Sequence, residues 1–566
     1  MKRPTGLLSL VSIACLSSCS DPDLVAGPGA APAETREALV ARAGAPLFDG
    51  MGDYHREITT SDPGAQRYFD QGMVLAIGFN HAEAIRSFRA AQRLDDACAM
   101  CFWGEALAAG PNINVTANGK AIMSEAEQVQ AFAAIGKAQE RIGGASAIER
   151  ELIEALALRY SPMPVEDRDP FDRAYAARLG ELSAKYPADD DIAAMFAEAW
   201  MNTMPWDYWS DGATPRPETV PVIAALETII ARNPRHPLAL HLYIHAVEAS
   251  SNPGRAEAAA DTLANLVPGS GHLVHMPAHI YWRVGRYHDA SEANVRAAAV
   301  DEAYIAECNA QGFYPALYYP HNIHFLWAAA SMEGRSAIAI GAARKVAANV
   351  RLEQIEEFPS VEFFHTIPLL ALAQFGRWEE ILAEPAPRED LHYSNAIFRY
   401  ARAVARASTG DIEGARAEQA AMRPYLASDQ IDFLVTMAYP AESLLGIADA
   451  LVEGEIALAS GGLDAAIAHF ERAVAIQDRL PYMEPPFWYY PTRQSLGLAY
   501  LRAGRFAEAE AVYRRDLEDY PHNGWSMFGL VQSLEGQGRD DEAAVAAEEL
   551  GHAWSLADVT LEASRI

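Results

Sequence analysis

A spacing of 34 residues recurs along this chain and constrains its fold more than any other feature. Pro234 and Pro268 stand 34 residues apart, as do His241 and His275, and His245 and His279. Proline ends a helix because it lacks the N–H that the ladder needs. A fixed period of this length marks a small structural unit that cannot bury its apolar face alone and therefore stacks on its neighbours. Pro187 precedes Pro234 by 47 residues, one period plus an insertion of 13 that includes Pro205-Trp206-Asp207-Tyr208-Trp209. Alanine is frequent, half of the 566 residues are apolar, and period-two runs of β-branched residues are scarce, so the units are expected to be helical.

The clearest unit lies near the C-terminus. Leu496-Gly497 and Tyr500 fall on one predicted helix, Gly504 and Phe506 mark a turn, Ala509 and Tyr513 fall on a second helix, and Pro521 closes the unit. This set resembles the tetratricopeptide repeat (TPR). Weaker copies run through Gly285, Tyr287, Ala290 and Ala297; through Gly461, Leu463, Ala466, Phe470 and Ala473; and through Ala84, Phe88 and Ala91. Gly376 with Trp378 and Gly410 with Ile412 look like others. The resemblance covers most of residues 61–550. It implies an all-α, right-handed superhelical solenoid of TPR-like helix pairs. Residues 110–150 and 303–320 do not fit and are expected to be insertions. The expected division is a signal peptide at 1–18, a flexible Ala/Pro/Gly-rich tether at 19–60, a degenerate array with insertions at 61–480, and C-terminal repeats at 481–566. Pro481–Pro491 would connect the last two.

In this family the first helix of each pair lines a concave groove, with repeat positions 2, 5, 9 and 12 facing inward. Nine of the sixteen histidines fall between His236 and His324. His241 and His245, followed by Glu248, take positions 5, 9 and 12 of one unit. His275 and His279 take 5 and 9 of the next, and His321 and His324 take 2 and 5 of a third. Earlier units put Cys101 at position 5, and Glu105 and Glu198 at position 9. Helices packed roughly 8–10 Å apart would let these imidazoles share a point. Neutral imidazole binds zinc, copper or iron, and Glu248 could be a ligand, an orienting group or a general base. No His-Glu-x-x-His motif is present, because residue 242 is leucine. The same histidines would equally serve as packing residues or as polar groups for a peptide. Pro277 bears on the choice: a helix that starts there would carry His275 off the shared face.

Lys2 and Arg3 precede an apolar run, Leu7 to Leu16, too short to span a bilayer and suited to an export signal. Leu16-Ser17-Ser18-Cys19 looks like a bacterial lipobox, which makes Cys19 the expected lipidation site, facing the periplasm. Ser20 after it favours the outer membrane by resemblance to enterobacterial lipoprotein sorting. Cys98 and Cys101 leave a disulfide open in an oxidising compartment, although within a regular helix an i,i+3 bridge would be strained. The formal net charge of −31, from 45 basic and 76 acidic residues, argues against nucleic acid. The expected function is a cell-envelope scaffold holding a protein or peptide partner in the groove, with the histidines as a metal or small-ligand site. The alternative is a metal-dependent enzyme using the same His/Glu set.

Overall fold

The computed structural model describes residues 34–117, 119–308 and 313–565. The apolar run at Leu7–Leu16 and Cys19 lie outside them. The described chain is a succession of antiparallel helix pairs, interrupted by one small hairpin, Thr116–Ala117 with Lys120–Ala121. Each pair packs along its length and against the next, as Ala441–Ala459 does with Leu463–Gln477 and Gly524–Gly536 with Asp540–Ala553. This is the expected all-α solenoid. Among the described residues no helix is long and apolar enough to cross a membrane.

The pairing follows from alternation of small and large residues. Tyr513 is fully buried between two inner helices, and a Cβ on Gly497 or Gly529 would come within 2.4 and 2.1 Å of its ring. Phe88 fills the same gap between Gly72 and Gly104 at the other end of the chain. Interiors of this density transmit any added methyl as strain. Turns within the pairs use left-handed glycine, with φ of 80° at Gly285 and 68° at Gly504.

Three expectations about segments change. Residues 34–60, assigned by composition to a flexible tether, form the short helix Arg36–Ala43 and an ordered strap that buries Leu39, Leu47 and Ile58. The strap is tied down where Gly269 N–H donates to the Gly50 carbonyl at 2.8 Å. Residues 125–150, expected within an insertion, fall in the helices Glu125–Glu140 and Ala147–Ala157, and the first packs on Ala99–Ala108. The repeat therefore continues through this region with the consensus residues lost. Cys98 and Cys101 are bonded, with Cα atoms 5.4 Å apart. Cys98 is the extended N-cap of Ala99–Ala108 rather than a residue inside it, which removes the objection of helical strain.

Both ends of the described chain fold back on the middle. Arg56 pairs with Asp189 at 3.0 Å and with Asp191 at 2.8 Å, and Pro63–Ile77 reaches Pro237–Val247. At the other end, Trp525 Nε1–H donates to the Ser331 carbonyl at 2.9 Å, and Asp558 accepts from the N–H groups of Ser336 and Ala337. What an open solenoid would present as a groove is thereby converted, around residues 237–325, into a second core.

Candidate metal centre

Two adjacent inner helices carry most of the site. Pro237–Val247 places His241 and His245 one turn apart, and Glu248 is its C-cap residue. The next inner helix runs as Gly271–His275 and Pro277–Arg283, with Met276 helical between them at φ −50° and ψ −38°. The chain stays helical across Pro277, so His275 remains on the face of His279. A third inner helix, Tyr319–Met332, supplies His321 and follows a π-helical turn at Tyr314–Tyr318. Gly271 is required where it stands, because a Cβ there would lie 1.9 Å from Asp301 Oδ1. That close approach lets Tyr314 accept the His272 N–H at 3.2 Å while donating to Asp301 at 2.9 Å.

The imidazoles gather in two clusters. In the first are His241, His245 and His272, with ligand atoms within 4.8 Å of one another; in the second are His275, His279 and His321, equally close. His241 Nε2 stands 3.2 Å from His272 Nε2. His275 Nε2 stands 2.8 Å from His279 Nε2 and 3.1 Å from His321 Nε2. Glu248 joins the clusters: His245 Nδ1–H donates to one of its oxygens at 2.7 Å and His279 Nδ1–H to the other at 2.6 Å. Asn294 fixes a third ring. Its Nδ2 donates to the Ala290 carbonyl at 2.8 Å, so its Oδ1 must accept, and it takes His275 Nδ1–H at 2.6 Å.

Those partners settle the tautomers. With Nδ1 protonated, neutral His245, His275 and His279 each present a bare Nε2 lone pair inward. Two such lone pairs 2.8 Å apart repel unless a proton or a metal cation lies between them. Nitrogens bound tetrahedrally at 2.0–2.1 Å from one ion stand about 3.3 Å apart, close to the spacings here. Carboxylate and amide groups holding the far ring nitrogen are the usual supports of histidine ligands.

Electrostatics divide the rings. Burial pushes His241, His272, His275 and His321 well below the ordinary imidazole range, and neighbouring rings push further in the same direction. Burial alone would lower His279 too, but the Glu248 carboxylate overrides it and holds the ring above its ordinary value. Burial would raise Glu248, and the His279 and His245 rings hold it low instead. Glu484 is pushed up to about 8, first by burial and then by Glu248.

Sequence reasoning missed several participants. His272 completes the first cluster. Phe79, at a φ of 56°, lays its ring 4.7 Å from His241 and 5.2 Å from His272, and Trp206 meets His245 edge-on at 5.2 Å. Tyr482 and Glu484 come from the segment expected to be a mere connector. The Tyr482 hydroxyl hydrogen-bonds Glu484 and reaches Glu248 at 3.3 Å. Both line a cleft of about 750 Å³ with Trp282, Arg283, Phe487 and Tyr520.

Other expectations fail. His324 is not in either cluster; it stacks on Trp327 at 5.2 Å, between Phe363 and Phe364, because three residues along a helix turn it away from His321 towards the following pair. Cys101 is locked in the disulfide, and Glu105 is buried against Arg89 and Gln92. Glu198 is half-buried near Arg159, away from the six clustered rings. An open peptide groove at the histidines is excluded by exposures of 0–4% for His241, His245, Glu248, His275 and His279.

No protein-family profile matches the chain, and no curated protein sequence matches it. Similar solved structures include yeast Tom70, at 12% identity over 88% of this chain and 93% of that one, with a TM-score of 0.27. The human IFIT1 dimer with m7Gppp-AAAA matches at 12% identity over 88% and 91%, with a TM-score of 0.27. Ypp1 matches at 10% over 95% and 71%, with a TM-score of 0.33. Likeness at this level carries no inference about function, and the helix-pair fold rests on the contacts described above.

Proposed function

We propose that this chain is a metal-binding helical-repeat protein whose two three-histidine clusters each hold one transition-metal ion through Nε2 atoms. The observation that carries this is the convergence of three imidazoles in each of two adjoining clusters, His275 Nε2 lying 2.8 Å from His279 Nε2 and 3.1 Å from His321 Nε2 while Asn294 and Glu248 hold the Nδ1 atoms of His275 and His279. Glu248 would be the shared support of the two ions rather than a ligand, since each of its oxygens already accepts a ring N–H. Elemental analysis of the purified chain tests this: two ions per chain are expected, and at most traces for the His241→Ala/His275→Ala variant. A metal-free wild-type chain whose melting temperature is indifferent to zinc and copper would end the proposal.

Around this centre, the stacked pairs suit an interaction scaffold, with partners meeting the outer surface because the histidine face is closed. A metal-dependent enzyme is the second possibility, favoured by the cleft that brings Tyr482 and Glu484 to the edge of the centre. The Cys98–Cys101 bond supports an oxidising compartment. Together with the run ending at Cys19, it supports the reading of a bacterial cell-envelope protein, lipid-anchored through that residue. Cys19→Ala would then move the protein from the detergent phase to the aqueous phase in Triton X-114 partition, and no such shift would remove the anchor.

A further inference from the structure

We infer that the ions are copper and that the pair, in the copper(I) state, takes up dioxygen between the two clusters; this rests on the two-metal reading above. The donor set argues first. Both clusters are built of imidazoles alone. Oxygen-binding iron sites typically add a carboxylate to two histidines, and zinc has no redox chemistry. Among the described residues, the one such grouping that includes carboxylates, Glu248 with His279 and Glu484, would cost Glu248 its ring N–H partners if it bound an ion.

Charge argues second. Five of the six rings are 0–4% exposed, and an uncompensated charge at such depth is costly. The nearby carboxyls are Glu248 and Glu484, at most two negative charges, and the Arg283 guanidinium sits over the Tyr482 ring at 5.5 Å. Two divalent ions would leave a net charge of about +3 in this interior, against about +1 for two monovalent ions. Copper(I) is the monovalent ion that three neutral imidazoles hold well.

Geometry argues third. Three nitrogens leave a coordination position open on each ion. The clusters adjoin, with ring centroids 5.7 Å apart for His245 and His279 and 5.9 Å for His272 and His275. The step balances without another reagent. Each copper(I) gives one electron to O2, the O–O bond order falls from two to one, two Cu–O bonds form, and no proton moves. The product is two copper(II) ions with a peroxide dianion, so the net charge of the buried centre is unchanged. The cleft lined by Tyr482 and Glu484 borders the centre on one side, Glu484 lying 3.9 Å from His279 Nδ1.

The test uses the full-length chain, stripped with chelator and titrated anaerobically with copper(I) against a coloured competing chelator. Two tight copper(I) ions are expected. On admitting air, one O2 should be consumed per two coppers, with a new near-ultraviolet band absent from the zinc-loaded chain and no paramagnetic copper(II) signal. Two bound coppers without oxygen uptake, or two bound zinc ions with fewer than two copper(I), would overturn this inference and leave the two-metal reading standing. Failure to bind any of these ions would overturn both. Every measurement runs on the unaltered sequence, so none depends on a variant folding.

Discussion

The C-terminal hairpins and the central helices share one two-helix unit and treat the same positions in opposite ways. Counted back from Gly285 and Gly504, the places of His275 and His279 are taken by Gln494 and Leu498 in the C-terminal unit. There the repeat keeps its small and large residues, and Tyr513 fills the gap left by Gly497 and Gly529. In the centre the inner positions are given to imidazoles that are buried and whose inward nitrogens face one another. Buried polar atoms without partners destabilise a fold unless something satisfies them. The C-terminal unit is thus held chiefly by packing, whereas the centre gathers ring nitrogens that a bound cation would satisfy.

That contrast is sharpest for Tyr513→Ala. It should cost roughly 3–5 kcal/mol in denaturant unfolding, the range for losing a large buried aromatic, with two metals still bound. Loss of metal in this variant, measured by elemental analysis on the folded protein, would show that the two regions are not separable.

Asp516 gives the next test, again in the C-terminal unit. Its carboxyl is buried, accepts from Ser526 and Asn523, and is pushed up to about 7 by burial. The unfolded carboxyl titrates near its ordinary 3.8. Between these values the folded state holds a proton that the unfolded state has lost, so this group's stabilisation is complete below about pH 4 and gone above about pH 7. Asp516→Asn should flatten that decline, a span of roughly 4 kcal/mol, in unfolding free energies measured across pH. An unchanged slope would mean that the carboxyl is not held neutral.

At the centre, Glu248→Gln is isosteric but can accept from only one of the two rings it now joins. The other ring must change tautomer and lose its inward lone pair. Metal affinity should fall about 10–100-fold in competition titrations, with helicity retained. Unchanged affinity would deny Glu248 its supporting role. Smallest is His324→Phe, which lies among Phe363, Phe364 and Trp327 and should cost less than about 1.5 kcal/mol with metal content unaltered. A loss of metal there would make His324 part of the centre after all.

How far residues announced this arrangement depends on how locally it is built. Helix pairing was legible because Gly497, Gly504 and Tyr513 act within one unit. The two histidine pairs were legible because a 34-residue period puts them in register on adjacent helices. His272 was within reach, since it falls at inward position 2, although it belongs to no i,i+4 pair. His321 and His324 share a helix, and spacing alone does not say which of two neighbours each faces. Tyr482 and Glu484 were out of reach: they stand more than 230 residues from Glu248 and meet it only because the chain returns on itself. The strap at 44–60 was hidden for the same reason, its order depending on Gly50 meeting Gly269.

The late position of Tyr482 and Glu484 has a consequence for how the protein is made. Synthesis runs from the N-terminus, so all six clustered imidazoles emerge well before the residues that border their doorway. On the two-metal reading, a partly made chain would leave the clusters more open to ions than the finished one does. Loading before completion and loading afterwards should differ in speed, and an ion captured early would leave only as fast as the returning arm lifts.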